Sequence, residues 1–294
     1  MLQLRLVILV ALWAVPLKAE MPNVVTDIPP VHSLVSQIMQ GTSNEPQLLL
    51  TAQADPHNLA LRPSQAEMLQ NANLIVWVGA ALSPWMPNAL DTLAPASTRL
   101  ALLQVLDTNM LFISDMKDKH NHTSDHDTDD GSAIDPHSWL DPRNATIWRT
   151  AIAEQLAQID PSNAQIYLTN AQSRNMVPNW DFSSLPPVLV EHDGLAYFAN
   201  YTGLRVAQTI NTSHGLAPSI SGIRALQKTV EQNSIKCVLS DPSSDGQLLK
   251  TIFGSLRFRA TPVLIMGDGQ DLGPNYYDRI LTDLAATVEN CATN

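Results

Sequence analysis

An α/β fold of two βαβ-type lobes, joined by a helical connector with a metal cleft at the lobe interface, is what the sequence predicts. Three observations predict it. Short apolar runs alternate with helical patterns in two separate blocks. A stretch of purely helical pattern, about residues 143–176, lies between the blocks. Each block also places a histidine just past the end of an apolar run: His57 after QLLL and His192 after PPVLV. Alternation of this kind reads as parallel βαβ units. Open α/β sheets bind their ligands at the carboxyl edge, where these two histidines fall.

The elements follow in chain order. The first residues, MLQLRLVILVALWAVPLKAE, carry Arg5 and an apolar run from Leu6 to Val15. At about 1.5 Å per residue this run is too short to cross a bilayer. Small Ala19 precedes Glu20, so residues 1–19 read as a secretory signal peptide, with an uncleaved anchor as the alternative. No cysteine lies near the cleavage point, so no lipid anchor is expected there. The N-terminal lobe spans 20–142, with strands expected at Val24–Thr26, Gln47–Leu50, Leu74–Val78 and Arg99–Leu102 and a helix at Pro63–Asn71.

Inside this lobe lies an acidic, His-rich segment, 115–131. Asp115–Asp130 holds six Asp, two Lys and three His (His120, His122 and His126) with almost no apolar residue. Such a segment has nothing to bury against its ordering entropy, so a mobile loop is expected. The connector, 143–185, has two helical parts meeting at Asp160-Pro161, where Asp160 can cap and Pro161 can begin the second. The C-terminal lobe, 186–294, repeats the alternation. Its strands are expected at Pro187–Val190, Arg205–Ile210, Lys236–Leu239 and Pro262–Ile265, and its helices at Ser221–Gln232 and Asn275–Val288.

The chain has 294 residues and is 45% hydrophobic, which suits a globular protein with room for two domains. Removing Arg5 and Lys18 with the signal takes 17 basic residues to 15, against 28 acidic, for a formal charge of −13. That balance argues against nucleic acid as a partner. Export changes how Cys237 and Cys291 read. In an oxidising compartment such a pair forms a disulfide, with two free buried thiols as the alternative. Neither cysteine has the C-x-x-C spacing of a zinc site.

His137 follows Asp135-Pro136 in a turn-rich approach to the connector. A cleft between the lobes would bring it together with His57 and His192; a surface or capping role for each histidine is the alternative. Three imidazoles with one open position suit zinc best. His32 and His214 read as ordinary structural or surface residues.

The segments ADPHNLALRPSQAEMLQNANLIVWVG, IDPHSWLDPRNA and EHDGLAYFANYTGL resemble the periplasmic zinc-binding proteins of ABC importers, the ZnuA type. The likeness extends over nearly the whole mature chain, through YLTN, KCVLSDP and the closing helix with Cys291. By position, His57, His137 and His192 match the family's metal-binding histidines. Manganese-carrying relatives usually have glutamate where His192 stands, so the resemblance implies zinc. It also implies a monomeric solute-binding protein in the periplasm that delivers Zn²⁺ to an inner-membrane permease and catalyses nothing. Manganese or iron as cargo, and an exported zinc hydrolase, are the alternative readings. The fourth ligand is water or Asp268, which stands about one place off the register of the manganese-type relatives. The 115–131 loop then reads as a weak secondary zinc collector or as a solvated loop without that role.

Overall fold

The computed structural model describes residues 21–113, 133–173, 178–210, 218–244, 246–254 and 258–293. The expected signal peptide (1–19), the segment expected as a His-rich loop, with His120, His122 and His126, and His214 lie outside them.

Two four-stranded parallel sheets form the frame. The first contains β1 (Val24–Thr26), β2 (Gln47–Leu48), β3 (Leu74–Trp77) and β4 (Thr98–Ala101), in the order β2-β1-β3-β4. Its helices are α1 (Pro29–Met39), α2 (Pro63–Gln70) and α3 (Met86–Leu93). A two-stranded antiparallel hairpin, β5 (Phe112–Ile113) with β6 (Ala133–Ile134), follows. Next come α4 (Pro142–Ile159) and α5 (Ala164–Ser173). The second sheet contains β7 (Val188–Val190), β8 (Val206–Thr209), β9 (Cys237–Ser240) and β10 (Arg259–Pro262), in the order β10-β9-β7-β8. Helices α6 (Ala196–Thr202), α7 (Ile220–Asn233), α8 (Gln247–Phe253) and α9 (Tyr276–Thr293) accompany it.

The central strands are almost wholly apolar because helices cover both faces. VVT in β1, LIVW in β3, VLV in β7 and CVLS in β9 are buried at every position. The edge strand β10 reads RATP and is mostly exposed. It corrects the expected last strand, Pro262–Ile265, by moving it about three residues earlier. Arg259 pairs with Cys237 and Pro262 with Ser240. A proline is tolerated there because an edge strand needs no second ladder. The apolar run that suggested a strand instead supplies buried Val263 and half-buried Ile265 beside the lobe junction.

Helix α1 is buried at every residue. It begins on Pro29 and Pro30, whose fixed φ suits a first turn. It packs against β1, α4, α5 and α9, joining elements from both ends of the chain. Just before it, buried Asp27 accepts from Ile28 N and Val78 N at 2.8 Å each, tying the ends of β1 and β3. Burial pushes this carboxyl up to about 7, against the pull of those backbone donors. Helix α4, about 27 Å long at 18 residues, is capped by Asp141, which accepts from Arg143 N at 2.9 Å.

Asp160 behaves differently from the expected cap. Its carboxylate accepts from the Tyr167 hydroxyl at 2.8 Å and the Asn163 side chain at 2.7 Å, while Pro161 opens a short 3₁₀ turn before α5.

The junction between the sheets is closely stitched. Trp139 Nε1 donates to Ile265 O at 2.8 Å, and Tyr277 on α9 donates its hydroxyl to Trp139 O at 2.7 Å. Ser33 on α1 donates to Gly273 O at 2.7 Å and accepts from Tyr277 N at 2.9 Å. Cys237 and Cys291 are bonded, joining the start of β9 to the end of α9.

Candidate metal centre

His57 sits in the loop after β2. The ladder continues past that strand through Leu49 N to Thr26 O and Leu50 N to Asp27 O. The loop then turns at Asp55, whose carboxylate accepts from His57 N at 2.9 Å. The preceding carbonyl, Pro56 O, is held by Ser83 Oγ at 3.1 Å and Trp85 Nε1 at 2.9 Å, both from the segment after β3. Gln65 closes the far end: it accepts from Arg62 N and donates to Leu49 O. His57 is the most solvent-open of the three residues, although the cleft still partly shields its ring.

His137 is the buried member, opening the 3₁₀ turn Ser138–Leu140. Asp135 Oδ1 accepts both its backbone N–H, at 2.9 Å, and its ring Nδ1, at 2.8 Å. With Nδ1 carrying the proton shared with Asp135, Nε2 presents its lone pair to the cleft. A carboxylate behind a metal-binding imidazole fixes tautomer and orientation in this way. The Trp139 ring lies 5.4 Å from that of His137, centroid to centroid.

His192 follows β7 directly and is half-buried. Its neighbour Glu191 is buried and committed elsewhere, accepting from Asp241 N at 3.0 Å and Ser244 Oγ at 2.8 Å. Gly194 matters for a steric reason. A Cβ there would lie 3.0 Å from His192 Cδ2, 3.2 Å from Ile265 Cδ1 and 3.4 Å from His137 Nε2. Gly194→Ala should therefore displace the His192 ring by a few tenths of an ångström, while only touching that of His137, and lower zinc affinity by roughly tenfold, the lower end of what disturbed supporting residues cause. The melting temperature should stay near the parental value, because no unusual backbone angle is involved. Chelator competition beside a melting curve checks this; parental affinity would show that the rings accommodate the methyl group.

The structure brings the three histidines together. One ligand nitrogen from each lies within 4.8 Å of the others, and no other group of three or more such side chains is found among the described residues. Ring centroids are 6.0 Å apart for His57 and His137 and 5.3 Å for His137 and His192. Three nitrogens bound tetrahedrally to one zinc at 2.0–2.1 Å stand about 3.3 Å apart. Rotations bringing each nitrogen inward by about 1 Å close that difference. Desolvation, followed by the nearby His137, pushes the pKa of both His57 and His192 down, so both rings are neutral and ready to coordinate at neutral pH.

Asp268 is not part of this group. It is half-exposed, accepts from Gln270 N at 2.9 Å and faces Arg279 at 3.7 Å. His32 is buried, with Nε2 3.0 Å from Pro46 O. The supporting roles of Asp135 and Gly194 were not anticipated. Their only sequence signal is nearness to a candidate ligand histidine, two residues before His137 and two after His192.

The family model for zinc-uptake complex component A, periplasmic (ZnuA), matches residues 24–291. The high-affinity zinc uptake system protein ZnuA of Paracoccus denitrificans is 32% identical, over 95% of this chain and 94% of its own. Among solved structures, a ZnuA crystal structure is 20% identical with a TM-score of 0.73, covering 93% of this chain and all of the other. A manganese-bound periplasmic metal-binding protein from Candidatus Liberibacter asiaticus is 21% identical with a TM-score of 0.69, covering 92% and 99%. Both structural likenesses concern the fold. No helix among the described residues is long and apolar enough to cross a membrane.

Proposed function

The chain belongs to the family of periplasmic zinc-uptake component A proteins, and on that premise we propose that it captures Zn²⁺ with high affinity and passes it to an ABC-type membrane permease. His57, His137 and His192 are the ligands in this reading, with a water completing the shell. The observation that carries it is the convergence of three imidazole nitrogens within 4.8 Å, on loops from both sheets. Zinc here is cargo. The site therefore has to release it as well as hold it, which suits three protein ligands better than a closed set of four. The lobes, taken as 20–142 and 186–294 with 143–185 between them, would present the loaded ion at their junction. Residues 1–19 act as the export signal, and the monomer works in the periplasm.

A hydrolase built on the same zinc would need a general base beside the open position. Glu191 is spoken for by Asp241 N and Ser244 Oγ; Asp193, on the other side of His192, is the one flanking carboxylate left, so the preference for the binding-protein reading rests on the family match.

The choice of zinc over manganese rests on nitrogen donors, since manganese prefers oxygen. Competition titrations with both metals test it. The parent should prefer zinc, and His192→Glu, which adds an oxygen donor and a negative charge, should narrow that preference. An unchanged ratio would mean that selectivity does not reside in this ligand. Equal affinity of the parent for both metals would remove the zinc reading itself.

A further inference from the structure

We propose that the Tyr197 hydroxyl is a positioning latch that holds the His137 arm of the site in register with the His192 arm. The proposal rests on the ligand set above and concerns a residue that touches no metal.

The geometry is specific. Tyr197 lies on α6, the helix that starts just after His192, and its side chain is completely buried. Its hydroxyl accepts from Leu111 N at 2.8 Å and donates to Asp135 O at 3.1 Å. Those two residues flank the hairpin, one just before β5 and one just after β6, and Asp135 N donates to Leu111 O at 2.9 Å. A side chain from the second sheet's side thus clamps the base of the separate hairpin that follows the first sheet in the chain. Asp135 is also the residue whose carboxylate orients His137 through Nδ1 and the backbone N–H. One phenol therefore joins the backbone that carries His137's orienting carboxylate to the helix that trails His192.

The phenol suits a permanent role. Burial pushes its pKa up to about 12, so it keeps its proton and goes on donating at any pH at which the protein works. Without the hydroxyl, half-buried Leu111 N and buried Asp135 O each lose a partner, and the Asp135 backbone is freed to shift. The hairpin would keep its own bond between Asp135 N and Leu111 O, so the fold has a fallback that the metal geometry lacks.

The test is a double-mutant cycle on the full mature chain, with zinc affinity read by chelator competition and folding checked by circular dichroism and melting of the metal-free protein. Tyr197→Phe should fold, and it should lower zinc affinity roughly tenfold, in the range seen when outer supports of a ligand are lost. In a His137→Ala background the same change should alter affinity less than about twofold, because the ligand it positions is gone. A merely structural role would reduce affinity equally in both backgrounds, and that result would overturn the latch. So would parental affinity in Tyr197→Phe alongside weakened binding in His137→Ala. Parental affinity in His137→Ala would instead overturn the ligand assignment, and the latch with it. If Tyr197→Phe melts early, the affinity of its folded fraction, measured well below that transition, decides the matter by the same comparison.

Discussion

Replacing His137 with alanine should weaken zinc binding by two orders of magnitude or more. Zinc sites with four protein ligands bind with an apparent 10–16 kcal/mol near neutral pH, or about 3 kcal/mol for each ligand. At about 1.4 kcal/mol per tenfold, that is roughly a hundredfold for an average ligand. His137 should exceed the average for two structural reasons. It is buried, so little water can replace it, and Asp135 already holds its ring in the binding orientation at 2.8 Å. His57 is exposed on a loop, and water can take its place more easily. The expected order of loss is therefore His137 first, then His192, then His57. Chelator competition on the three single variants measures it. A His137→Ala protein with parental affinity would refute the site; three equal losses would refute the weight placed on burial and on Asp135.

What the sequence made legible follows from where each kind of information resides. The buried strands β1, β3, β7 and β9 are almost wholly apolar runs, and helices cover the sheets on both faces, so their pattern and their environment coincide. The edge strand β10 obeys no such rule: its pairing with β9 chose RATP, while the more apolar residues after it went to the lobe junction. The hairpin of β5 and β6 has two residues in each strand, too few for any periodicity. His57 and His192 were legible because chain direction alone puts a residue after a parallel strand at the carboxyl edge. Asp135 and Tyr197 were not. The Asp135 carboxylate acts on a histidine only two residues away, but nothing in the sequence distinguishes it from any other turn aspartate; the Tyr197 hydroxyl meets the Asp135 carbonyl across 62 residues of chain, and no local pattern encodes that contact. Asp160 is an instructive miss: a residue chemically fit to cap was drawn instead to the buried hydroxyl of Tyr167, a group that needs an acceptor inside the protein.

The bond between Cys237 and Cys291 should matter greatly for stability and hardly at all for zinc. It closes a sequence separation of 54 residues, for which the loop-entropy relation gives about 4 kcal/mol as an upper estimate. Denatured-state structure takes some of that away, so a loss of about 2–4 kcal/mol on reduction is expected. The position of the bond explains why the site should not feel it. Cys237 begins β9, and Cys291 lies in the last turn of α9. Of the proposed ligands, His192 sits beyond the opposite, carboxyl end of the same sheet, just after β7, where Glu191 N donates to Leu239 O and the Glu191 carboxylate accepts from Asp241 N. At about 3.3 Å per residue, the length of β9 separates the two ends by roughly 10 Å. Between them run strands buried at every position, held by ladders that reduction leaves intact. Denaturant melts of oxidised and reduced protein, paired with zinc titrations under native conditions, give both quantities. A lowered midpoint with zinc affinity within about twofold is the expected pattern. If reduction weakens zinc binding tenfold while the chain stays folded, the second sheet transmits strain from one end to the other, and the site is less independent of its scaffold than its geometry indicates.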